Sequence, residues 1–223
     1  MTDSTGPNPL LQRSGLPAFD RVKAHHVEPA VESVLARSNE VLERIEADLD
    51  DPTQTTWDNT IGTLEALGRD WEQAWSPVTH LMGVKNSDEL REAHDSVLPK
   101  IVAMGLKLRQ SLTVYRALKW LRNSDQWADC TEVQQRIIDD RLRDAELAGI
   151  ALEPDDQDRF NEIAAELSQL ATTFSNHVLD ATKAWELVIH DPAGVEGMPE
   201  TLLQLAAQSH NDAAPDDDSR LDA

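Results

Sequence analysis

Seven histidines are the first residues to ask for chemistry. A zinc hydrolase helix needs two of them four residues apart with a glutamate beside the first, so that two imidazoles and a general base meet at one ion. None of His25, His26, His80, His94, His177, His190 and His210 is followed by Glu, and no two are four apart. His25 and His26 are adjacent, which on a helix sets their side chains about 100° apart and suits capping or surface roles better than a shared ion. His177 reads as a packing or groove residue beside Val178. Carboxylates are so numerous that a chance pair says nothing about acid and base catalysis. A Gly-rich phosphate loop and a G-x-S-x-G elbow are both absent from the sequence. The single cysteine, Cys130, lies in a polar linker with no local activating partner, which favours a structural or incidental thiol. The six tryptophans could stack a ligand, but most fall at helix-core spacing and are expected to pack. No catalytic residue, cofactor ligand or metal ligand is therefore assigned.

Composition narrows the partners. A net charge of -21, from 41 acidic and 20 basic residues, repels phosphate backbones and anionic lipid, so neither nucleic acid nor membrane surface is an expected partner. No apolar run approaches the ~20 residues of a membrane span, and residues 1–9 lack the basic and apolar regions of a secretory signal. One cysteine excludes an intrachain disulfide and fits a reducing cytoplasm, the expected location.

The elements that would position any site read as helices. Val31, Val34, Leu35, Val41, Leu42, Ile45 and Leu49 mark a first buried face, with Pro29 near its start and Pro52 beyond its end. Trp57, Ile61, Leu64, Leu67, Trp71 and Trp75 mark a second helix that Pro77 is expected to kink or end. Ser87 is placed to cap a third, bent at Pro99, and its apolar pattern runs without interruption through Leu112 and Leu121 to a polar break at 123–129. Thr131 and Gln134 match a capping box for a helix ending at Gly149. The longest pattern is Phe160, Ile163, Leu167, Leu170, Phe174, Val178, Ala181 and Trp185, a single apolar stripe on a helix over 156–185 whose burial should organise the fold. Leu187, Val188 and Ile189 form a short β-compatible run, and Pro199 opens a last helix carrying Leu202, Leu203 and Leu205. The fold class is all-α, a multi-helix bundle with one β-compatible segment at 187–189. Its expected divisions are a flexible arm over 1–14 reaching the body near Leu16, Pro17 and Phe19, a helical domain over 15–208, and an acidic disordered tail over 209–223.

Six segments then carry a resemblance: NPLL from Asn8, SPVTHL from Ser76, VKNSDELR from Val84, LRDAELAGI from Leu142, FSNHVLDAT from Phe174 and GMPE from Gly197. In order and spacing, the stretch from Asn8 to about Gln208 resembles the N-terminal region of the thimet-oligopeptidase family of zinc metallopeptidases, of the bacterial oligopeptidase A type. The resemblance implies an almost wholly helical protein with a deep channel that admits short peptides, and makes this region part of one channel wall. The family's H-E-x-x-H helix and further glutamate ligand lie downstream of the matched region, so no catalytic or zinc-binding role passes to any residue here. The expectation is a truncated, non-catalytic N-terminal domain, inactive alone, with no cofactor in this chain and zinc in the full-length family. The partners it implies are short peptides and the missing catalytic portion. The leucines of the last helix add a weak homodimer. The competing reading is a helical scaffold or adaptor that binds peptides or a protein partner.

Overall fold

The computed structural model describes residues 7–13 and 15–213. Seven α-helices occur among them: α1 Val27–Asp48, α2 Thr63–Val84, α3 Asp88–Arg109, α4 Leu112–Asn123, α5 Glu132–Leu147, α6 Pro154–Ala184 and α7 Glu200–Ala213. There is no strand among the described residues, and 187–189 is irregular chain. No helix there is long and apolar enough to cross a membrane. The chain divides into two units, the first through Leu179 and the second from Asp180.

In the first unit α1 is the organising element. Its N-terminal half, with Val27, Ala30 and Val31, packs with Leu10, Val78, Leu81, Leu90 and Val97 in one core. Its C-terminal half, with Leu42 and Ile45, and its cap residue Leu49 join Ile61, Val114, Leu118, Leu121, Ile138 and Leu142 in another. Trp71 of α2 touches both cores, and its indole N–H donates to Ser38 Oγ at 3.0 Å, midway along α1. Lys100 of α3 donates to Glu32 of α1 at 2.8 Å across the surface.

Start and stop signals act where the sequence places them. Ser87 Oγ accepts from Leu90 N–H at 3.2 Å. Thr131 and Gln134 cap each other reciprocally, at 2.9 and 3.3 Å. α5 ends in a Schellman turn, in which Gly149 N–H donates to Glu146 O and Ile150 N–H to Ala145 O. Gly149 has φ +85°, and a Cβ there would stand 2.7 Å from Leu152 Cδ1, so this turn requires glycine.

Several expectations are corrected. Pro77 does not end α2, which continues to Val84 with the proline buried inside it. A π-helical turn, Asp58–Gly62, leads into that helix. The apolar pattern expected to run unbroken to residue 121 is interrupted at Gln110 and Ser111, where Ser111 Oγ accepts from Val114 N–H and starts α4. The N-terminal stretch meets the body earlier than Leu16, which is exposed: Leu10 is in the core, and Asn8 Nδ2 donates to His26 O at 2.8 Å. Phe19 rests tilted against His80. The largest correction concerns α6. Its apolar stripe is not buried: Ile163 is 41%, Leu167 61%, Leu170 56%, Phe174 69% and Val178 49% exposed, and no residue of α6 is fully buried.

In the second unit, α7 runs through Ala213, beyond Ser209 where a polar tail is expected to begin, and the rest of that expected tail lies outside the described residues. Ala207 is buried, Leu202 and Leu205 are exposed, and His210 Nδ1 pairs with Glu186.

Candidate functional site

α6 meets the body with a face that carries no charge. Gln157, Asn161, Ala165, Ser168, Thr172, Ser175, Asn176 and Leu179 recur at helical spacing on the side opposite the apolar stripe, and each lines a hollow against the helices behind. The first hollow, about 530 Å³, lies between Gln157, Asn161 and Ala165 of α6, the C-terminal half of α3, and Ser111 at the start of α4. The second, about 300 Å³, lies between residues 168–179 of α6 and Thr79, Met82 and His94 of α2 and α3. His94 lies toward one end of α3 and Gln110 just beyond the other, opposite late and early parts of α6 respectively, so the two helices run antiparallel along the groove.

The groove is anchored at one end by amides. Gln110 Nε2 donates to Ala148 O at 2.8 Å and to Asn161 Oδ1 at 2.7 Å, and Gln157 Nε2 donates to Gly149 O at 3.0 Å. Ser111 Oγ donates to Glu46 Oε1 at 2.6 Å, which places a carboxylate beside the N-terminus of α4, where the helix dipole favours it. At the other end His94 lies flat on Trp75, with ring centroids 4.9 Å apart and planes 20° from parallel. Its Nδ1 is 3.0 Å from Asp95 Oδ1.

The other histidines are dispersed. His26 Nδ1 accepts from Lys23 N–H at 3.1 Å, a capping role, and burial together with the neighbouring His25 and Lys23 charges lowers its pKa. His80 abuts Phe19, His177 and His190 are exposed, and His210 pairs with Glu186 inside the second unit. Among the described residues no group of three or more His, Cys, Asp or Glu side chains is placed to hold a metal ion. Burial and then the Asp129 charge push the Cys130 thiol pKa up, the direction of an unreactive thiol. Trp57, Trp71, Trp75, Trp120 and Trp127 pack against the two cores, and Trp185 is exposed.

Sequence reasoning does not find this groove. Its signal is present in α6 as an uncharged row opposite the apolar one, but with charged residues on the helix flank the whole polar side reads as a solvated surface.

Comparison with known proteins bears on what such a groove belongs to. The neurolysin/thimet oligopeptidase N-terminal domain profile matches residues 31–157. Oligopeptidase A of Haemophilus influenzae is 43% identical over 202 residues, covering 91% of this chain and 29% of that protein. The probable cytosolic oligopeptidase A of Arabidopsis thaliana is 38% identical over 207 residues, 93% of this chain and 29% of its own length. Oligopeptidase A of Escherichia coli is 39% identical over 199 residues, 89% and 29%. The chain thus spans about 29% of the length of these relatives.

Proposed function

Because the chain belongs to the neurolysin/thimet oligopeptidase family, as its N-terminal domain, we propose that it is the non-catalytic, channel-wall part of a machinery that degrades short peptides. The observation that carries this reading is the orientation of α6: its uncharged polar row faces a groove and its apolar stripe faces away from the body. Full burial of an aliphatic or aromatic side chain is worth about 1.5–3 kcal/mol. Five such side chains, each between 41% and 69% exposed, are surface for another part of a complete oligopeptidase to cover. The groove side is lined by amides and hydroxyls of α6 together with apolar residues such as Pro99, Val102, Leu106 and Met82.

The zinc that the family resemblance implies does not fit this chain. The His-Glu pair and the second histidine four residues on are missing from the 223 residues, and His25 and His26, whose rings meet with centroids 4.2 Å apart, belong to no group of three or more potential ligands among the described residues. An ion of that kind polarises a carbonyl and lowers the pKa of bound water, and its ligands must come from other sequence. The part of this chain is to shape the wall, orient peptide and carry the covering surface. A cytoplasmic setting suits its lone, unactivated Cys130.

The purified chain is accordingly expected to hold no stoichiometric zinc and to leave short peptides intact. One tightly held zinc per chain together with chelator-sensitive peptide cleavage would overturn the reading. The second reading is a scaffold or adaptor in which the same stripe docks an unrelated protein. A weak homodimer through the exposed Leu202 and Leu205 is a further use of apolar surface, opposed at low salt by the charge of -21 on each copy.

A further inference from the structure

We propose that His26 is a proton-operated latch for the N-terminal segment: its neutral imidazole holds the turn that seats residues 8–11 on the helices, and protonation of the ring releases them. The device belongs to this chain's own fold and does not depend on the function proposed above.

The geometry fixes where the ring proton sits. Lys23 N–H can only donate, and it lies 3.1 Å from His26 Nδ1, so Nδ1 carries a lone pair and the hydrogen of the neutral ring is on Nε2. His26 N–H returns a bond to Lys23 O at 2.9 Å, which closes the single turn Ala24–His26 on itself. A protonated ring has N–H at both nitrogens. Nδ1 then faces Lys23 N–H donor to donor, and the turn loses one of these two bonds.

What the turn holds is the first stretch of chain that meets the body. His26 O accepts from Asn8 Nδ2 at 2.8 Å, while Oδ1 of the same amide accepts from Leu10 N–H at 3.0 Å and Asn8 O accepts from Leu11 N–H at 3.0 Å. One side chain therefore ties the turn to Leu10, which is 1% exposed and packs with Val27, Ala30, Val31, Val78 and Leu81. A turn that opens moves His26 O and withdraws that tie. A short terminal segment can detach in this way while the bundle stays folded.

The surroundings set the direction of the switch. On the cationic side stand Lys23 and His25, the latter with its ring centroid 4.2 Å from that of His26, and the turn leads directly into the positive end of α1. On the anionic side α1 brings Glu28, which is exposed and 3.9 Å from Lys100 of α3. The Lys100–Glu32 and Lys107–Asn39 bonds set α3 against α1 at a constant offset of 68 residues, so Glu92, His94 and Asp95 of α3 stand level with 24–27. Glu92 is exposed, and His94 and Asp95 are engaged with each other. The balance is downward: burial first, then His25, then Lys23 lower the His26 pKa. A base depressed in this way adds stability that is complete above its unfolded value of about 6.5 and is lost as pH falls from there through the folded value. The latch is thus shut at neutral pH and opens on acidification.

The test is an NMR titration of the whole chain from about pH 7.5 to about pH 5, a range that spans imidazole protonation. The Lys23 amide is expected to shift in step with the His26 ring, and the Leu10 and Leu11 amides to lose protection from exchange about fivefold or more, while Val31 and Ile45 in the cores of α1 keep theirs. H26Q should abolish the pH dependence, because glutamine at this position still accepts from the Lys23 N–H and does not titrate. H25Q should keep the transition and move its midpoint upward. Circular dichroism establishes that each variant is folded. A Lys23 amide indifferent to the His26 transition, equal Leu10 protection at both ends of the range, protection lost evenly across α1, or a folded H26Q with the wild-type pH dependence would overturn the proposal.

Discussion

Ser38 Oγ donates to Val34 O at 2.7 Å and accepts from the Trp71 indole at 3.0 Å, with no exposure of the residue to solvent. Replacing it by alanine leaves the indole N–H unpaired where the two cores meet. Stranding a buried donor costs about 1–3 kcal/mol, so S38A should lower the urea midpoint with an unchanged m-value, and a midpoint equal to wild type would contradict this account of the junction. The packing of Trp71 is legible in its spacing, but its partner lies 33 residues away, and a mid-helix serine carries no sign of being buried. Tyr115 offers a cleaner readout because it is the sole tyrosine. Its hydroxyl donates to Glu146 Oε1 at 2.8 Å, and this bond, with burial and the Glu146 charge, raises the phenol pKa. A pKa raised on folding means that the contribution to stability is complete below the unfolded value of about 10 and is lost as pH rises through the folded one. Ultraviolet titration should show phenolate appearing later in the folded chain than in urea, and E146Q should bring the two curves together. Coincident curves in the wild type would show that the bond is not made.

At the scale of elements, caps and stops read well because they are local chemistry: Ser87, the Thr131 and Gln134 pair, and Gly149 each act within a few residues. What did not read is decided by packing. A proline inside a helix costs about 3 kcal/mol, yet Pro77 sits buried with Val78, Leu81 and Met82 on one side of α2, and that burial holds the helix together past it. The break at Gln110 and Ser111 falls inside an apolar pattern that is continuous on either side, so only the serine cap betrays it. α6 shows the limit of periodicity: its stripe correctly predicts a helix but does not say what covers it. Because α6 contributes no fully buried residue, its amides are expected to exchange with solvent much faster than those of α1, whose core residues Val27, Val31, Leu42 and Ile45 are almost wholly inaccessible. Hydrogen exchange read by mass spectrometry checks this, and equal protection of α6 and α1 would mean that the stripe is already covered in the isolated chain.

For the molecule as a whole, the charge of -21 and the near-neutral groove pull in different directions, and only the charge is legible in the sequence. The charge is a plain count that disfavours nucleic acid and anionic membranes as partners. The groove required the three-dimensional placement of α6, since the same residues on a solvated helix would look identical in sequence. Family membership, carried by segments such as the Val84 and Leu142 runs, is legible from the sequence as well, and so is the greater length that the resemblance implies for its members: 202 matched residues make up 29% of the Haemophilus protein. The central claim, that this chain is a wall domain whose α6 stripe is covered by the remainder of such a protein, is tested most directly by exchange. This chain would replace the matched segment of Haemophilus oligopeptidase A, and the chimera would be assayed for cleavage of a short peptide. The account predicts a folded chimera with activity within about tenfold of its parent, and loss of that activity when Leu167, Leu170 and Phe174 are changed together to Ser. A folded chimera with no activity, or one indifferent to the triple change, would contradict it.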